Sequence, residues 1–162
     1  MKQSIRRNVF ETNSSSTHSL CVTKNNILDQ KQESLNFSIG EFGWEENTLD
    51  SPSEKASYLY TAILVCDGKM DCLESVKNAL NNNGIEYEFE EPNFDDEYRY
   101  LNNGYIDHSG EIYDFLDICN DEDKIMRFLF SSESFILTGN DNADSDVEIN
   151  VDYDHEEYYK GN

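Results

Sequence analysis

Between Asn13 and Ser19 the chain sets Ser14, Ser15, Ser16, Thr17 and His18 in unbroken succession, a few residues after Arg6 and Arg7. Hydroxyls and backbone amides can surround phosphate oxygens, arginine adds bidentate charge-assisted bonds, and an imidazole exchanges protons near neutral pH. A second polar run, Thr138-Gly139-Asn140-Asp141-Asn142, follows the apolar stretch ending at Leu137, and strand ends are common places for functional side chains to gather. Were the two runs to meet, Arg6, Arg7, Asn13, Ser14, Ser15, Ser16, Thr17, His18, Asn140 and Asp141 would line a nucleotide or phosphate site, and an enzyme could be built there. The chain has no Gly-Lys-Ser/Thr pair and no Gly-x-Ser-x-Gly elbow, and the first run has no glycine to let backbone approach a phosphate closely. Read singly, each run also fits a turn whose Ser, Thr and Asn side chains bond their own backbone.

Metal and thiol chemistry find less support. His18, His108 and His155 are scattered, and none stands three to five residues from another His or Cys, as familiar zinc sites require. Asn140, Asn142 and Asp144 imitate the first ligands of a calcium loop, but Ser145 stands where glycine is needed and Val151 where the bidentate glutamate belongs. No metal or cofactor is expected. Cys21, Cys66, Cys72 and Cys119 contain no Cys-x-x-Cys pair, and a chain of 162 residues needs no disulfide to build a core, so buried reduced thiols are expected.

The acids are the strongest signal. Thirty-four Asp and Glu face twelve Lys and Arg, a formal charge of −22. Residues 1–24 hold Lys2, Arg6, Arg7 and Lys24 against Glu11, so the remainder carries −25. A surface this negative repels nucleic acid, whose binding requires Lys and Arg to displace counterions from phosphates. The same field speeds encounter with a basic protein surface. Along Ile85-Glu-Tyr-Glu-Phe-Glu-Glu91 the parity is strict, turning Ile85, Tyr87 and Phe89 inward and Glu86, Glu88 and Glu90 outward. In residues 144–154, Val147, Ile149, Val151 and Tyr153 alternate with Asp144, Asp146, Glu148, Asp152 and Asp154. Two strand-borne rows of carboxylates are therefore expected. They would repel each other as neighbours in one sheet, and either a basic partner or solvent and salt must make them tolerable.

Several elements must hold these groups. Short strands are expected at 19–23 and 35–39, joined as a hairpin or meander. Ser51-Pro52-Ser53-Glu54 reads as a capping box opening a helix that runs to about Cys66. Asp71 and Glu74 repeat the cap pattern before a second helix, which Asn83-Gly84 stops. After the strand at 85–91 and a tyrosine-rich loop, helices are expected near 110–119 and 121–131, then a strand at 134–138. The fold class is thus α+β: one acidic domain over 1–162, an antiparallel or mixed sheet with two helix pairs, a polar N-terminal motif at 6–19 and an acidic strand at 144–154. No apolar run approaches the roughly 18 residues of a membrane span, and the opening residues have no signal-peptide core, so a cytoplasmic protein that engages no membrane is expected. Trp44 is either a core residue or an exposed interface anchor.

The segment Val9-Phe-Glu-Thr-Asn-Ser-Ser-Ser-Thr-His-Ser19 resembles the opening of various small uncharacterised proteins of phages and their Gram-positive hosts. The resemblance covers about a dozen residues and implies a viral or mobile-element setting, hence a bacterial host cytoplasm, but no fold or catalytic role. In that setting small acidic proteins include DNA mimics that inhibit host functions. The leading expectation is therefore a non-enzymatic binding module whose Glu86, Glu88, Glu90, Asp144, Asp146, Glu148, Asp152 and Asp154 occupy the basic, normally nucleic-acid-binding surface of a host protein. The phosphate site is the alternative, and a self-associating structural accessory protein is a third reading.

Overall fold

The computed structural model describes residues 16–43, 45–66, 68–97, 100–107 and 112–140, together with the backbone of 155–161; of Thr17 and Asn140 likewise only the backbone is described. Strand β1 (Ser16–Thr23) lies inside a four-stranded sheet and is buried at Ser16 and from His18 through Thr23. The edge strand β4 (Asn47–Leu49) pairs with β7 (Phe135–Asn140), β7 with β1, and β1 with β8 (His155–Gly161), all antiparallel. Two small parallel pairs complete the strands: β2 (Ser34–Phe37) with β5 (Glu86–Phe89), and β3 (Glu41–Phe42) with β6 (Tyr105–Ile106).

Helix α1 (Pro52–Val65) is the axis of the core, buried at every position from Lys55 to Leu64. A helix covered on all sides belongs in the middle of a fold, and α1 packs on β2, on β6 and on helices α2 and α4. It starts where the capping box predicts. The Glu54 amide donates to Ser51 Oγ at 3.4 Å, and the Ser51 amide donates back to Glu54 Oε2 at 3.1 Å. Donation from the Ser51 hydroxyl holds the Glu54 carboxyl below its ordinary range. Replacing Ser51 with alanine should cost about 1 kcal/mol, read as a lower denaturant midpoint with an unchanged slope.

Helix α2 (Met70–Asn82) follows Gly68, whose φ of 75° takes the chain through the left-handed region, and ends before Gly84 at φ 69°. Its expected cap is corrected: the N-cap is Lys69, with no side-chain bond. Asp71 lies within the first turn, where its charge favours the positive end of the helix dipole. Helix α3 (Ile112–Phe115) runs into a 3-10 helix (Leu116–Asn120), and α4 (Glu122–Phe130) is capped by Asp121, which accepts from the amides of Asp123 and Lys124 at 2.9 and 3.2 Å. Helix-helix-strand thus occurs twice, and the fold is α+β with four α-helices among the described residues. None of these helices is long and apolar enough to cross a membrane.

The expected pairing of the first two strands is overturned. β1 pairs with the two last strands and β2 with β5. From the end of β1 onward, polar groups find their partners far along the chain. Thr23 Oγ1 and Asn25 Nδ2 donate to Glu133 Oε2 at 2.7 and 2.9 Å, the Ser132 amide donates to Asp29 at 2.9 Å, and the Gln30 amide donates to the Phe130 carbonyl at 2.9 Å. These bonds carry the chain across the end of α4 instead of folding it back. Where β3 meets β6, the backbones nearly touch: a Cβ on Gly104 would lie 2.7 Å from the Gly40 carbonyl oxygen and collide with Ile39 Cγ2, so glycine is required there.

Candidate functional site

The polar runs do meet. Antiparallel register sets Ser16 opposite Asn140, Thr17 opposite Gly139 and His18 opposite Thr138. Arg6, Arg7, Asn13, Ser14, Ser15 and Asp141 lie outside the described residues, so of the set proposed for a phosphate pocket the structure places Ser16, His18 and the backbone of Thr17 and Asn140.

What the structure shows of this junction is inward-facing. His18 is 5% exposed, with Nδ1 at 2.8 Å from Tyr58 Oη and Nε2 at 3.1 Å from the Gly43 carbonyl. A carbonyl only accepts, so Nε2 carries the proton and Nδ1 accepts from the tyrosine hydroxyl. Burial pushes the Tyr58 phenol far above its ordinary value, which keeps it a donor. Ser16 is buried and donates to the Asp107 carbonyl at 3.4 Å; Thr138 donates to the Glu45 carbonyl at 2.7 Å. Each side chain ties a loop over this end of the sheet. The expected acid or base role for His18 has no geometric support, because a general base must reach a substrate proton and both nitrogens are committed to the fold.

Glu86, Glu88 and Glu90 of the first acidic row are all exposed, as expected, and the first two lie within β5. Glu86 and Glu88 project from the exposed face of β5, while Phe89 on the other face stacks on Phe37 at 4.5 Å between ring centroids. Parallel register gives them the neutral neighbours Ser34 and Asn36 on β2. Glu90, just beyond the strand, is exposed but engaged: it accepts from the Ile39 amide at 2.8 Å and from Asn103 Nδ2 at 3.3 Å. Among the described residues neither Glu86 nor Glu88 has an ion-pair partner. The second row, Asp144, Asp146, Glu148, Asp152 and Asp154, lies outside the described residues, as do Trp44 and His108.

Sequence reading missed Lys55. This lysine is wholly buried and donates to Gln30 Oε1 at 3.1 Å, to the Ser131 carbonyl at 2.6 Å and to the Ser134 carbonyl at 3.0 Å. Burial pushes its ammonium down to about 8, against the pull of Asp50, Asp29 and Glu54. A signal existed: Lys55 stands four residues before Leu59 and eight before Ile63, on the face those residues share. Its amine is enclosed and fully bonded, so it pins the fold and offers no reactive group.

Among the described residues no cluster of three or more His, Cys, Asp or Glu is placed to hold a metal ion. Compared with protein-family models, curated proteins and solved structures, the chain matches none.

Proposed function

We propose that the protein is a non-enzymatic acidic binding module that occupies the basic, normally nucleic-acid-binding surface of another protein, in the manner of a phage DNA mimic acting in a bacterial cytoplasm. The observation that carries this reading is the outer face of β5. Glu86 and Glu88 stand there about 6.6 Å apart along the strand, unpaired with any described cation, on a strand held rigid by the Phe37–Phe89 stack. Their neighbours Ser34 and Asn36 carry no charge, so β5 displays two carboxylates without the cross-strand repulsion that a second acidic strand would impose. A net charge of −22 extends the attraction beyond this face. In this reading Glu90 contributes charge from a fixed position, and Asp144, Asp146, Glu148, Asp152 and Asp154 enlarge the surface.

The test is capture by the immobilised protein from a bacterial extract at low salt, with release by competing duplex DNA and by a salt gradient. A nucleic-acid-binding protein should be retained, freed by DNA, and bound about tenfold more slowly by the Glu86→Lys/Glu88→Lys variant, with little change in dissociation. Retention indifferent to DNA and to salt would overturn the proposal.

A further inference from the structure

Strand β5 is paired along one edge only. The Glu86 amide donates to the Glu33 carbonyl and the Glu90 amide to the Phe37 carbonyl, both at 2.9 Å, which with the parallel register turns the backbone of Glu86 and Glu88 toward β2. By the same alternation the N–H and C=O groups of Tyr87 and Phe89 point to the opposite edge. Among the described residues no strand lies there, and these groups have no hydrogen bond. Tyr87 and Phe89 are half-buried, so their flank of the strand is not sealed over. What packs on them holds the strand without pairing it. The Tyr87 hydroxyl accepts from Asn81 Nδ2 of α2 at 3.2 Å, the Phe89 ring meets Phe37 and Tyr60, and Lys77 stands 5.8 Å from that ring with its charge matched by Glu74 at 3.0 Å. Unpaired backbone donors and acceptors along a strand are a template for another strand.

We propose that an extended, basic segment of the partner protein adds to this open edge of β5 as a further strand; the inference rests on the acidic-module reading and supplies its mode of contact. Backbone bonds to Tyr87 and Phe89 hold the segment, and its side chains alternate between the two faces of the enlarged sheet. On the exposed face every second side chain comes to lie beside Glu86 or Glu88, whose neighbours on β2 are the uncharged Ser34 and Asn36, so Lys or Arg is favoured there. On the other face the intervening side chains extend the row of Tyr87 and Phe89, which favours apolar, β-branched residues. Charge decides the occupant. A second copy of this chain would set Glu beside Glu at a net charge of −22 on each molecule, and an acidic segment meets the same repulsion. Recognition is therefore of a pattern, a cation at every other position of an extended chain.

The probe is a short capped peptide alternating Lys with Val, added to the full chain at low salt and followed by amide hydrogen exchange. In the free protein the Tyr87 and Phe89 amides should exchange faster than the Glu88 amide, which is turned to β2; saturating peptide should slow both about tenfold or more and leave Glu88 nearly unchanged. The same peptide N-methylated at every residue keeps its charge and loses its backbone donors, and should bind about tenfold more weakly. Glu86→Gln/Glu88→Gln should weaken the unmodified peptide about three- to tenfold. Equal binding of the two peptides, unchanged exchange at Tyr87 and Phe89, or protection of those amides by dimerisation without peptide would each overturn the proposal, and all three are read on the wild type. Capture from the extract tests the acidic-module reading separately. A DNA-displaced partner that leaves Tyr87 and Phe89 unprotected overturns strand addition alone, whereas an extract that yields no such partner overturns the reading while the peptide still decides the edge.

Discussion

Lys55→Ala should destabilise the protein by about 3–5 kcal/mol, because it opens a cavity beside α1 and strips a buried ammonium from the acceptors it satisfies. The Ser131 carbonyl retains the Ser134 amide at 3.2 Å, and Gln30 is partly exposed and can turn to water; the Ser134 carbonyl is the group that loses most. Lys55→Met keeps the volume and removes the charge along with its desolvation cost, so it should lose only about 1–2 kcal/mol. The pH dependence separates charge from packing. In the folded chain the ammonium is depressed to about 8 from its ordinary 10.5. Between those values the unfolded chain holds a proton that the folded chain has released, so stability rises with pH. Below about 8 the full cost of burying the charge is present. From pH 8 to 9 the wild type should therefore gain about 1 kcal/mol relative to Lys55→Met. Reading the difference cancels the thiols and tyrosines, which act in the opposite direction at higher pH. Urea midpoints for both chains at pH 7, 8 and 9 measure it. A flat difference would mean that the amine is as well solvated folded as unfolded.

How much of this was legible in the sequence depends on how far each signal reaches along the chain. The α1 cap was readable because Ser51 and Glu54 are three residues apart and settle the helix start between themselves. The stop at Asn83-Gly84 and the inward set Ile85, Tyr87 and Phe89 were readable for the same reason. Strand pairing was not. Nothing local to Ser19–Thr23 says that its partners lie at 135–140 and 155–161, and the bonds that send the chain there join residues more than a hundred positions apart, Thr23 with Glu133 and Asp29 with Ser132. The two-residue strands β3 and β6 were too short for any alternation to show. The backbone register of β1 and β7 sets the two polar runs side by side, but that His18 faces Tyr58 and the core is a tertiary fact that no local pattern carries.

Composition misled in one physical respect. An excess of acid suggests a uniformly available negative surface, but several carboxylates are spent on the fold itself. Glu54 and Asp121 cap helices, Glu90 fixes the Ile39 amide, Glu122 accepts from Asn82 and Asn83, and Glu133 gathers Thr23 and Asn25. Charge and structural bonding share the same residue type here. That is why Glu86 and Glu88, which do neither capping nor loop-tying, carry the binding proposal rather than the net charge as a whole.

His18→Ala should cost about 3–5 kcal/mol, where a solvent-facing catalytic histidine would change stability by no more than about 0.5 kcal/mol. The substitution empties a buried ring position, leaves the Tyr58 hydroxyl in the core without its acceptor and frees the Gly43 carbonyl. Tyr58→Phe, which keeps the ring tilted against Phe42 and edge-on to Phe115, should cost about 1–3 kcal/mol by leaving Nδ1 without a donor. Since the two share one bond, their effects should not add; a coupling of about 1–3 kcal/mol is expected from the double-mutant cycle. Starting from the 5–15 kcal/mol typical of a domain, each single variant should still fold well enough for denaturant midpoints. Nitrogen NMR of the labelled imidazole should find the Nε2–H tautomer, because Nε2 donates to Gly43 and Nδ1 accepts from Tyr58. A near-neutral His18→Ala, additive effects, or the opposite tautomer would place the imidazole elsewhere than in this buried bond and return it to consideration as a chemical group.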